Sequence, residues 1–310
     1  MRELQREHAA TENGGPRFPY LIVTADDFGL HESVNEAVEQ ASHAGILTAA
    51  SLMVAAPAAA DAILRARRLP HLRVGLHLVL ADGRAMLDPD LIPGLADRTG
   101  MMNSRMFANG VRFFASPTLR RQLETEIRAQ FSAFARTGLA LDHVNAHKHF
   151  HVHPTLLEML LRIGRDFGLR AVRVPDEPWW FAWRSGGWTA GMNAALLGPW
   201  LALMKRRLRK AQVRHNDRIF GVAASGRMDE AKLLMILERL PPGVTEIYFH
   251  PVVHSGPGVA TYTTGYRHGE ELAALLSPRV RAAAAAGGFG RGGYQDLERA
   301  HTSPPDRADA

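Results

Sequence analysis

The feature that most limits the fold of this chain is alternation: from Tyr20 onward, short apolar runs of strand character take turns with segments of helical period. Strands are expected over Tyr20–Ala25, Thr48–Val54, Arg73–Leu78, about Leu141–Val144, about Arg170–Val174, Arg218–Val222 and Thr245–Phe249, with a last one near Gly288–Tyr294. Helices are expected over Glu32–His43, Ala58–Arg68, about Thr118–Arg136, after Pro154, over Asp229–Leu240 and over Glu270–Ala286. Seven or eight β/α repeats of this kind predict an α/β protein. The expected architecture is a TIM-like (β/α) barrel, seven-stranded or irregular, with an open doubly wound sheet as the alternative. A barrel takes its reacting groups from the carboxyl ends of strands, and here polar clusters repeatedly follow a strand. The expected organisation is a flexible leader over 1–18, one catalytic domain over 19–297 with an aromatic and basic insertion at about 178–215, and a disordered tail over 298–310.

Composition removes several chemistries. The chain has no cysteine, so any metal must sit on nitrogen and oxygen, and no thiol nucleophile exists. The first nineteen residues lack an apolar core of signal-peptide type, so a cytoplasmic location is expected. The most apolar stretch, about Met192 to Met204, is shorter than the roughly 20 residues a bilayer span needs. The net charge of +6 raises nucleic acid as a partner, but no recognition module accompanies it, so none is expected.

Four clusters carry the chemistry. Thr24-Ala25-Asp26-Asp27-Phe28-Gly29 puts two adjacent carboxylates at the end of the first strand, where one can bind a metal while the other accepts a proton from water; an Asp-rich turn capping the next helix is the bland alternative. His77 lies in an apolar strand, a place where a histidine is often only a satisfied core residue. The run from His143 to Pro154 holds five of the chain's fifteen histidines, and imidazole is both a common metal ligand and an acid or base near neutral pH. His250 occupies a further strand-end position, and Arg173 and Glu177 follow another strand. One Asp and two His from three strand ends would form a two-histidine, one-carboxylate site with positions open for water and substrate.

At these residues the sequence resembles the YdjC-like carbohydrate deacetylases. The resemblance runs from about Tyr20 to Leu297 and rests on the Thr24–Gly29 run, Gly75-Leu76-His77-Leu78, His147-Lys148-His149-Phe150-His151 and Phe249-His250-Pro251. It implies a β/α barrel, one divalent ion (Mg2+ or Zn2+) on Asp27, His77 and His147, Asp26 as general base and His250 as general acid. His149, His151, Asn145, Arg173, Glu177, Trp179 and Trp180 are the expected substrate-binding residues. One departure is Asn145, where many relatives carry Asp; it can hydrogen-bond to substrate or ligand but cannot act as acid or base. Thr48–Val54 with Leu47, and His143–His151, are most similar to the hopanoid-biosynthesis-associated branch. That branch implies removal of acetate from an N-acetylglucosamine unit on a hopanoid glycolipid.

All five tryptophans fall in one segment, Trp179, Trp180, Trp183, Trp188 and Trp200, followed by Lys205, Arg206, Arg207, Arg209, Lys210 and Arg214. Such a segment suits peripheral contact with the inner face of the cytoplasmic membrane, or equally a barrel helix with an apolar core face and a basic outer face. A homodimer is a further expected partner. The rival functions are a deacetylase of soluble chitooligosaccharides, another metal-dependent hydrolase of glycosides or phosphoesters, and a non-catalytic, membrane-associated sugar-binding protein.

Overall fold

The structure, a computed structural model, describes residues 18–103, 116–254 and 265–297. The expected tail, and the leader apart from Phe18, lie outside the described residues. Seven strands are named among the described residues: β1 (Pro19–Phe28), β2 (Ala49–Leu52), β3 (Arg73–Leu78), β4 (Val144–Ala146), β5 (Arg218–Phe220), β6 (Gly243–Phe249) and β7 (Gly290–Arg291). Every ladder is parallel, in the order β4-β3-β2-β1-β6-β5, with β7 on β1. β1 and β6 are buried almost throughout, as strands covered on both faces must be.

Helices α1 (Glu32–Ala44), α2 (Ala59–Arg68), α3 (Pro117–Arg136), α4 (Pro154–Asp166), α5 (Trp179–Lys210), α6 (Glu230–Leu237), α7 (His268–Leu276) and α8 (Pro278–Ala286) connect them. Their starts follow from local chemistry: Ser116 caps α3 ahead of Pro117, and Asp229 caps α6 through the Lys232 amide.

Two isolated parallel bridges, Val144↔Val172 and Ala171↔Arg214, carry the hydrogen-bonded path from the free edge of β4 to the chain entering β5. The parallel sheet is therefore curled, and irregular chain spans the interval between its edges. The run 170–174 falls short of a strand because a side chain takes the place of a ladder. The Val174 amide donates to Asn216 Oδ1, and Asn216 Nδ2 donates back to the Val174 carbonyl, each at 2.7 Å. The strand expected over 141–144 begins instead at Val144. The helix expected over 270–286 is divided, because Pro278 cannot donate to the preceding turn and Ser277 caps a new helix there. The aromatic and basic segment is one helical run broken at Gly187 (φ 78°), standing where the helix of a β/α unit belongs.

Candidate metal centre

The site begins with a defect in β1. Ala25 pairs with Ala50 and Phe28 with Leu52, so β1 spends three steps where β2 spends two, and the extra residue lies at Asp26-Asp27. Asp27 sits at φ 61°. A one-residue bulge with a left-handed residue re-aims a side chain that regular alternation would send to the other face. Both carboxylates are buried within the barrel end, although sequence alternation implies that neighbouring side chains diverge.

Asp27 Oδ1 lies 3.3 Å from His77 Nε2 and 3.2 Å from His147 Nδ1, and one potential ligand atom from each residue falls within 4.8 Å of the others. Asp27 Oδ1 and His77 Nε2 are buried and have no hydrogen-bond partner among the described residues. Buried polar atoms are rarely left so, and three oxygen and nitrogen atoms converging without mutual hydrogen bonds are the arrangement a cation completes. Charge points the same way: the buried Arg173 guanidinium is already shared by the Asp26 and Glu246 carboxylates, and among the described residues no guanidinium or ammonium group is paired with the buried Asp27. Burial lowers the His77 imidazole, but the Asp26 and Asp27 carboxylates more than offset it and raise it. The residues present therefore fit a divalent ion.

The tautomer of His77 has a visible cause. Asn145 Oδ1 lies 2.7 Å from His77 Nδ1 and can only accept, which leaves the Nε2 lone pair facing Asp27. Asn145 Nδ2 donates to Asp26 Oδ1 at 3.1 Å and to Ser51 Oγ at 2.9 Å. Ser51 Oγ then lies 3.0 Å from His143 Nε2, and His143 Nδ1 lies 2.9 Å from Asp142 Oδ2. These contacts form one directional chain, every proton pointing away from His77 toward Asp142. Asp142 itself accepts the amides of Tyr294 and Gln295.

Asp26 is clamped. Arg173 donates to its Oδ2 at 2.5 Å and its Oδ1 at 3.0 Å, and to Glu246 Oε1 from Nε at 3.0 Å and Nη2 at 2.7 Å. Thr24 Oγ1 and the Tyr294 hydroxyl complete Glu246 at 2.7 and 2.6 Å. Burial alone would raise the Asp26 carboxyl, but the Arg173 guanidinium holds it far below the usual carboxylate range. A carboxylate offers about four acceptor positions and the three donors here leave one, on Oδ2.

The His147–Val152 segment is a tight turn in which Lys148 and His149 both take φ 55°. It turns His147 toward Asp27, while His149 Nε2 lies 3.2 Å from the Tyr248 hydroxyl. Burial pushes the His149 imidazole well down, and Arg173 adds to this. His151 Nε2 donates to the Arg173 carbonyl at 2.8 Å, and burial takes its pKa down to about 4, so it is a neutral anchor for the arginine's backbone. Glu177 is likewise engaged by the amides of Gly221, Val222 and Ala223, fixing the loop after β5.

His250 follows β6 at the same end, half-buried. Its amide donates to Glu271 and its carbonyl accepts from His268 Nδ1, while its own Nδ1 has no partner among the described residues. Burial lowers the His250 imidazole, opposed by the Asp27 and Asp26 charges. Trp179 and Trp180 stand apart as exposed residues at the start of α5. Trp180 lines a cavity of about 560 Å³ with Arg184, Arg218, Phe220 and Arg239, which includes none of the Asp27, His77 and His147 set. Sequence reasoning assigned no role to Glu246, Ser51 or Tyr294; an acidic residue inside the apolar run of β6 was the one signal available for Glu246.

A family model described as YdjC-like protein matches residues 20–286. A carbohydrate deacetylase of Geobacillus stearothermophilus is 28% identical over 263 residues, 84% of this chain and 91% of that protein. One of Brevibacillus brevis is 36% identical over 162 residues, 52% of this chain, and the match spans only 60% of that relative's length. The crystal structure of an Enterococcus faecalis protein proposed to cleave cellobiose phosphate superposes with a TM-score of 0.70 at 22% identity, covering 90% of this chain and 99% of that one, which shows a shared fold.

Proposed function

The chain belongs to the YdjC-like family, and from that premise we propose that it is a metal-dependent carbohydrate N-deacetylase, releasing acetate from an N-acetylglucosamine unit carried on a hopanoid-type lipid in the cytoplasm. The observation that carries this reading is the convergence of Asp27, His77 and His147 with Asp26 beside them. A divalent cation held by those three side chains would polarise the acetamide carbonyl and make an attacking water more acidic.

The chain's own residues supply the rest. Asp26 offers the open acceptor position on Oδ2 to a proton of the attacking water. When it takes that proton, Arg173 keeps Glu246 as its counter-charge, so the guanidinium is paired in both states. His250, with its ring nitrogen free to exchange a proton, delivers one to the departing nitrogen, and the products are acetate and a free amine. His149 and Tyr248 line the sugar's approach, while Asn145, His151 and Glu177 hold the reacting groups and loops from behind. Trp179 and Trp180 provide aromatic surface for the substrate's far end.

The test is to incubate zinc- or magnesium-loaded protein with N-acetylglucosaminyl hopanoid and with chitooligosaccharides, and to quantify acetate against an Asp27→Ala control. Acetate from the lipid substrate supports the full reading. Acetate from the oligosaccharide alone removes the lipid, and none from either removes the deacetylase.

A further inference from the structure

Eight of the eleven large hydrophobic side chains exposed among the described residues lie in α5: Trp179, Trp180, Trp183, Trp188, Met192, Leu196, Leu197 and Leu203. A stripe this concentrated on one helix is not the scattered surface exposure of ordinary proteins. At about 100° per residue, Trp188, Met192, Leu196 and Leu203 share one face, and Arg206 and Lys210 continue it. The opposite face is already used, since Leu201, Met204 and Leu208 are buried in the core. Trp188 and Leu196 are 71% and 72% exposed, so the outer stripe is not a core face that the fold needs.

Charge identifies the occupant. The helix carries six basic residues, Arg184, Lys205, Arg206, Arg207, Arg209 and Lys210, and no Asp or Glu. The whole chain has a formal net charge of +6, so outside this helix its acidic and basic residues balance. Among the described residues no carboxylate pairs with Arg206, Arg207 or Lys210. Tryptophan and leucine on one face with cations at its end match the boundary between acyl chains and anionic headgroups. A second copy of the helix offers no carboxylate to meet these cations.

The helix is also fastened to the catalytic end of the barrel. Trp200 Nε1 donates to the Val152 carbonyl at 2.9 Å, at the end of the turn that carries His147, and Lys205 bonds to Asp176 and the Asp217 carbonyl. Gly186 packs so closely on Ala223, in the loop held by Glu177, that an added Cβ would meet its methyl at 3.2 Å.

We propose that α5 is an interfacial docking element that seats the protein on an anionic membrane surface and brings the mouth of the barrel to a substrate held there. Docking stands on the helix alone; the identity of that substrate as an N-acetylated amino sugar rests on the deacetylase reading.

Because all five tryptophans lie in α5, tryptophan fluorescence excited selectively, beyond the absorption of the five tyrosines, reports this helix. With vesicles of phosphatidylcholine mixed with phosphatidylglycerol, the expected result is a blue shift and quenching by brominated acyl chains, with flotation of the protein. Leu196→Glu with Leu203→Glu abolishes both. Arg206→Glu with Lys210→Glu weakens binding by more than about tenfold. All variants keep the parent's far-ultraviolet circular dichroism and urea midpoint, which shows that they fold. Absence of vesicle binding by the parent overturns the proposal. So does a solution dimer that Leu196→Glu dissociates while vesicles are ignored, since the stripe then covers a second copy. Vesicle binding by a protein that releases no acetate from any substrate sustains the docking and removes only the deacetylase reading.

Discussion

Replacing Asn145 by Ala separates the orientation of a metal ligand from the ligand itself. The buried amide makes three hydrogen bonds, to His77, Asp26 and Ser51 at 2.7, 3.1 and 2.9 Å. Its loss strands a buried His77 N–H and frees the imidazole to take the other tautomer, with the proton on the nitrogen that faces Asp27. Removing a partner behind a metal-bound histidine typically lowers metal affinity about 10- to 100-fold, equivalent to roughly 1.4 to 2.8 kcal/mol. Folding stability falls as well, by about 1–3 kcal/mol for each polar group left buried and unpaired. Calorimetric titration with Zn2+ measures the first effect and urea denaturation of the metal-free protein the second. Asn145→Asp is the informative companion, because it keeps an acceptor at the same place and should hold the ion far better than the alanine variant. Zinc binding by Asn145→Ala within twofold of the parent, or by Asn145→Asp no better than by the alanine variant, would rule out this orienting role.

Three further outcomes follow from the same geometry. Arg173→Met leaves Asp26 and Glu246 buried without a cation, so stability should drop by about 3–5 kcal/mol in urea. In whatever folds, the acidic limb of the kcat/KM profile should move to higher pH, since Asp26 loses what holds it down; an unmoved limb argues against Asp26 as the proton acceptor. His147→Ala should abolish stoichiometric metal uptake by elemental analysis while lowering the melting temperature of the metal-free protein only modestly, because among the described residues the ring's contacts are the Asp27 carboxylate and the edge of the His77 ring. Burial raises Glu271 from 4.5 to about 8, so the folded protein keeps a proton that the unfolded chain has lost over that window. Stability contributed by this group is therefore present below pH 4.5, declines by at most about 1.4 kcal/mol per unit as pH rises toward 8, and is level above it. Glu271→Gln should flatten the slope of the urea midpoint between pH 5 and 8, and an unchanged slope would place the titration elsewhere.

The architecture was legible from hydrophobic period where local pattern and tertiary packing agree: the apolar runs at Arg73–Leu78 and Thr245–Phe249 are strands as expected. Where the run 170–174 misled, a non-local side chain, Asn216, replaced the ladder, and nothing in the run itself encodes that. The three converging ligand residues were visible as unusual residue types at strand ends. The hydrogen-bond chain through Ser51, His143 and Asp142 was not, since a serine within Ala-Ala-Ser-Leu carries no mark of its partners 92 and 94 residues away. Nor could sequence say that His151 Nε2 and the Glu177 carboxylate bond to backbone groups, which depends on where two loops meet.

The bulge in β1 explains how two neighbouring carboxylates come to have opposite fates. In an unbroken strand, one of Asp26 and Asp27 would face the barrel and the other the helices, where a buried carboxylate would find no partner. The extra residue brings both inside, at the expense of a left-handed aspartate, a conformation costing of order 1–3 kcal/mol. Once both are inside, they cannot share a partner. Arg173 takes Asp26 and balances it against Glu246, while Asp27 is left with the imidazoles of His77 and His147. The surplus negative charge is thereby confined to Asp27, and the strain at its backbone is stored beside the one position where a cation both relieves the charge and fills the unpaired valences. Straightening the strand by deleting a residue from the bulge would return one carboxylate to the helix side, and neither the clamp on Asp26 nor the ligand set on Asp27 would survive it.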